Sequence, residues 1–95
     1  MTFSDFKKSL DADEPPDGLS APLTALWHDG KGNWDRAHAV AQDITSSHGS
    51  WIHAYLHRKE GDQANAGYWY RRAGKPVAGG TLSEEWAEIV SSILD

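Results

Sequence analysis

The sequence predicts an all-α protein: two repeated helical hairpins, preceded by a short N-terminal helix and followed by a C-terminal capping helix. Three observations carry this. Apolar residues recur three or four positions apart along most of the chain. No run sustains the apolar/polar alternation of a strand. And the middle of the chain matches itself at an offset of 29 residues, from Ala25 to Ala54.

The first ten residues form the short helix, with Thr2 as cap and Phe3, Phe6 and Leu10 at helical spacing. Asp11 to Gly18 is an acidic loop around Pro15-Pro16, which no helix interior accommodates. The second helix starts near Ser20, with Pro22 in its first turn, where a missing N–H costs nothing. Leu23, Leu26 and Trp27 are its stripe, and Gly30-Lys31-Gly32 ends it. Asn33 caps the third helix, with Ala37, Val40, Ala41 and Ile44 as its stripe. Ser46 to Gly49 breaks that helix.

The fourth helix runs from about Ser50 to Lys59, with Ile52, Tyr55 and Leu56 on one face. Gly61 ends it and Asp62 caps the fifth, whose stripe is Ala66, Trp69, Tyr70 and Ala73. Gly74 is its C-terminal cap. After a loop from Lys75 to Gly80, a capping box of Thr81 with Glu84 opens the last helix. Leu82, Trp86, Ile89, Val90 and Ile93 line its apolar face. All of this fits one domain over 1–95, with hairpins over 20–45 and 50–74 and the capping helix over 81–94.

At the 29-residue offset, Ala25, His28, Gly32 and Ala37 map onto Ala54, His57, Gly61 and Ala66, and the cap Asn33 onto Asp62. A hairpin needs a turn, a cap, and a small residue where its helices approach, and both units supply all three. The second unit, Gly61-Asp62-Gln63-Ala64-Asn65-Ala66 with Tyr70 and Ala73, resembles a tetratricopeptide hairpin. The resemblance covers 20–74 and is strongest in 51–74. It implies a concave surface that binds a protein or peptide, or a second copy of the chain. The chain departs from that family in three ways. Its period is shorter than the usual repeat of about 34 residues, it has two units where about three or more are usual, and His53 and His57 replace large apolar and aromatic residues. Trp51–Gly74 is also similar to the core of an uncharacterised family of small bacterial proteins.

Composition narrows the function classes. There are no cysteines, so disulfides, thiolate metal sites and cysteine nucleophiles are excluded. A formal charge of −5 opposes a phosphate-backbone partner, so no nucleic acid is expected. No stretch approaches the roughly 20 apolar residues of a membrane span, and the N-terminus lacks a signal-peptide pattern. The expectation is a soluble, cytoplasmic, more plausibly non-enzymatic protein with no cofactor.

Two sets of residues remain. Trp34 and Trp51 begin helices, and partial exposure there would mark an interface. His53 and His57 lie four apart, so their rings project from one side of a helix. His38 would complete a metal set if the third and fourth helices pack together, with Asp35 one turn away. The zinc-protease pattern is absent, because Ala54 follows the first histidine. Asn65, Tyr68 and Arg72 form a polar stripe that could join these histidines around a polar or anionic ligand. Each set also has an ordinary reading: solvated stripe, buried neutral imidazole, or, for His28 and His57, a cation at a helix C-terminus.

Overall fold

The computed structural model describes residues 1–94; Asp95, the last residue of the expected domain, lies outside them. The described residues form six helices and no strand: α1 (Phe3–Ser9), α2 (Ala21–Gly30), α3 (Trp34–Ala41), α4 (Ser47–Glu60), α5 (Gln63–Ala73) and α6 (Leu82–Leu94). None is long and apolar enough to cross a membrane.

Local chemistry sets the boundaries. Ser20, Asn33, Ser46 and Asp62 each accept a hydrogen bond from a backbone N–H in the first turn of the helix they precede. Thr2 and Asp5 close a reciprocal capping box on α1. Gly61 and Gly74 take the left-handed conformation that ends α4 and α5.

Helix α4 is the axis of the molecule. Every residue from Gly49 to His57 is buried, as expected of a helix covered on all sides. It packs most extensively on α5, and also against α2, α3 and α6. Ala54 on α4 and Ala66 on α5 are both fully buried, so two backbones can approach there. Helix α1 docks through Phe3 and Phe6, whose rings lie 5.9 and 5.8 Å from that of Trp86. Trp86 in turn donates its indole N–H to the Leu26 carbonyl (3.0 Å), tying α6 to α2.

Two expectations need correction. Ser47, His48 and Gly49 are not a helix break; they are the first turn of α4, capped by Ser46. Helix α3 ends at Ala41, so Ile44 belongs to the connection rather than to its stripe. The reason is steric. Ile44 folds against Gly49, where an added Cβ would lie 2.6 Å from the Ile44 Cβ. The earlier start moves Trp51 into the body of α4, where it is buried rather than exposed at a helix end.

Candidate functional site

His38 on α3 and His53 and His57 on α4 converge. One ring nitrogen from each lies within 4.8 Å of the other two. The Nε2 atoms of His38 and His53 are 2.9 Å apart. His53 and His57 stack at a centroid distance of 4.8 Å, the consequence of i,i+4 spacing. His38 enters from the side, edge-on to both, at 4.6 and 5.3 Å.

Indole rings hold this cluster. Trp34 stacks on His38 at 4.9 Å and donates its Nε1–H to the Leu56 carbonyl (2.8 Å). Trp69 stacks on His53 at 3.9 Å. Trp34 is half-buried by these contacts. Of the pair expected at an interface, it braces the histidines, and Trp51 turns inward to donate to Glu85.

The tautomer of His57 follows from its partner. In the neutral ring, Nδ1–H donating to Glu60 Oε1 (2.7 Å) leaves the lone pair on Nε2. Asn65 at the start of α5 places its amide Nδ2 3.4 Å from that Nε2. Burial lowers the pKa of His53 to about 4, helped by the charges His38 and His57 would carry. Burial also lowers that of His38. Both are therefore neutral near pH 7, as a metal ligand must be.

Of the six residues expected to line a ligand site, His38, His53, His57 and Asn65 come together. Tyr68 and Arg72 form an outer pair. Arg72 donates to the Tyr68 hydroxyl (3.4 Å) and lies over the rings of Tyr68 and Trp69, at 5.8 and 5.4 Å. Trp69 is thus the link between this pair and His53. Asp35 is exposed and is absent from the clustered donors. Glu60 and Asp62 also approach His57 within 4.8 Å. Glu60 is engaged by Nδ1, however, and Asp62 caps α5.

Two buried carboxylates escaped the sequence reading. Glu85 accepts from Trp51 Nε1 (3.2 Å), Tyr70 OH (2.6 Å) and Arg58 Nη1 (2.9 Å). Asp29 accepts from Tyr55 OH (2.6 Å) and Lys59 Nζ (2.8 Å). Burial, then these hydrogen bonds to carboxylates, raise the pKa values of Tyr55 and Tyr70. A signal existed: Glu85 is three residues after Leu82 and four before Ile89, on the apolar face of α6, and Asp29 is three after Leu26. Asp29 borders a cleft of about 270 Å³ whose wall includes Phe3, Leu10 and Trp86. A second cleft, of about 290 Å³, runs between Trp51 and the Lys75–Gly80 loop. Histidines line neither.

The comparisons with known proteins give no match: no family model, no curated protein and no solved structure.

Proposed function

We propose that the chain binds a divalent transition metal through His38, His53 and His57. One observation carries the reading: three imidazoles from two helices present ring nitrogens within 4.8 Å of one another. Tetrahedral coordination with metal–nitrogen bonds of about 2.0–2.1 Å sets ligand atoms about 3.3 Å apart. The His38–His53 pair, at 2.9 Å, is already inside that separation, and the two distances to His57 are within 4.8 Å, a gap that side-chain motion can close. Imidazole donors suit Zn²⁺, Cu²⁺ or Ni²⁺ rather than the oxygen-seeking Mg²⁺ and Ca²⁺. Glu60 behind His57 supplies the outer hydrogen bond that fixes a ligand's tautomer and orientation. The two clefts described above lie elsewhere, and the convergence of three nitrogen donors suits an ion.

The test is calorimetric titration of Zn²⁺ into metal-free protein. The reading expects one site per chain, abolished in His38→Ala, whose ring is the least buried of the three and whose loss spares the α4 core. Absence of binding by folded wild-type protein would sink it.

A second reading keeps the tetratricopeptide-like interaction module. It is favoured by the likeness of the two hairpin turns. Asn33 N donates to His28 O and Asp62 N to His57 O, both at 2.9 Å. Gly32 and Gly61 have φ of 82° and 91°. Exposed Tyr68, with Arg72 over its ring, is the surface feature such a module would use on a protein or peptide, or on a second copy. Selection of one peptide class from a random library, lost in Tyr68→Ser, would rank this reading first. Failure of the metal-free and the metal-loaded chain to select any peptide would remove it.

A further inference from the structure

Three histidines would fill three corners of a tetrahedral site. Resting on the metal reading above, the geometry points to the Asn65 side-chain amide as the fourth donor, its carbonyl oxygen closing a site of three imidazole nitrogens and one oxygen that joins α3, α4 and α5.

The position of Asn65 is fixed by its backbone. Its N–H donates to Asp62 Oδ1 (3.1 Å), the bond that caps α5 and sets its first turn. From there the half-buried side chain reaches α4, with the amide 3.4 Å from His57 Nε2. That is the edge of a tetrahedron around an ion bonded at about 2.0–2.1 Å. Without an ion, the amide N–H faces the Nε2 lone pair across a hydrogen bond near the long limit. Turning the amide over exchanges N for O at little cost and aims carbonyl lone pairs where the imidazole lone pair already points.

Competing donors are committed. Glu60 accepts from Nδ1, on the far edge of the His57 ring. Asp62 spends its carboxylate on the cap. Asp35 is exposed on α3. Sites that activate water keep one position open, whereas structural sites fill all four. The ion would therefore act as a cross-link between three helices in a chain whose length leaves only a thin stability margin.

Cobalt(II) is the probe, because its visible absorption is intense in four-coordinate sites and weak once waters raise the coordination number. Wild-type protein titrated with Co²⁺ should show the intense bands. Asn65→Ala, folded by circular dichroism, should lose them and bind Zn²⁺ at least about tenfold more weakly. Asn65→Asp, of equal size and still able to place an oxygen, should keep four-coordinate bands, shifted, and bind no more weakly than wild type. If Asn65→Ala does not fold, Asn65→Asp decides, since an unchanged spectrum and affinity would mean that position 65 is no ligand. Unchanged bands and affinity in folded Asn65→Ala would overturn the assignment while leaving the three histidines in place. Wild-type protein that binds neither ion would instead overturn the metal reading itself.

Discussion

Replacing Glu85 by alanine removes a carboxylate that is 3% exposed and holds three donors from two helices. Trp51 and Arg58 reach it from α4 and Tyr70 from α5. The alanine variant leaves Arg58 without its ionic partner and two buried donors with nothing to bond. Breaking one side of a buried ion pair costs about 3–5 kcal/mol. Each orphaned neutral donor adds about 1 kcal/mol or more where water cannot reach it. We take about 4 kcal/mol as the expected loss, because Arg58 is near the surface and also donates to the Gly80 carbonyl. A domain this size has about 5–14 kcal/mol in all, and each kcal/mol moves the melting midpoint by about 4–8 °C. Glu85→Ala should therefore melt at least about 15 °C below wild type, and its urea midpoint should fall in proportion. Glu85→Gln, which keeps the acceptor oxygen and loses the charge, should fall between the two. A drop under about 1 kcal/mol for the alanine variant would refute the reasoning, because it would mean that water or a rearranged α6 satisfies all three donors.

The other predictions concern pH and packing. His53 has a folded pKa of about 4 against an ordinary 6.5, so the unfolded chain binds its proton first and stability is lost as pH falls from about 6.5 towards 4. The shift corresponds to about 3 kcal/mol, and urea midpoints at pH 7 and pH 4.5 should converge in a folded His53→Asn variant relative to wild type; an equal pH dependence in both would contradict it. Gly49→Ala should destabilise by about 1–3 kcal/mol, although alanine is the better helix former, because its Cβ would strike Ile44. Gly67→Ala on α5 meets only Arg71, 3.7 Å away, and should stabilise by about 0.5–1 kcal/mol. Thermal melts of the two glycine variants that move the same way would show that the close approach at Ile44 does not matter. Tyr55→Phe strips one hydrogen bond from buried Asp29 and leaves Lys59 in place, so a loss of about 1–3 kcal/mol in a urea titration is expected, and no loss would mean that Asp29 finds another donor.

Much of the helical layout was written in local signals. Caps at Thr2, Ser20, Asn33 and Asp62, and glycine stops at 61 and 74, act within one turn and need no tertiary knowledge. The start of α4 was hidden because Ser46, Ser47, His48 and Gly49 look like a turn on composition alone. Only the packing of Ile44 onto Gly49 shows why a glycine belongs in that helix. The same error misplaced Trp51, since shifting a helix start changes which face a residue occupies. The histidine pair was legible from its spacing, and His38 from the assumption that α3 packs on α4. What spacing cannot supply is a partner's distance. Asn65 and Glu60 both flank His57, but the sequence does not say that one meets Nε2 and the other Nδ1. Glu85 and Asp29 were passed over because a charge on an apolar face reads as an edge residue until its donors, up to 34 positions away, are in view.

The most direct test of the central claim is a melt of metal-free protein with and without Zn²⁺, run beside His38→Ala. An ion held at a hundredfold excess over its dissociation constant adds about 2.7 kcal/mol, which is at least about 10 °C for a domain of this size. The account predicts that rise in wild type and none in the variant. A wild-type melting curve that Zn²⁺ leaves unmoved, or an equal rise in both proteins, would contradict it.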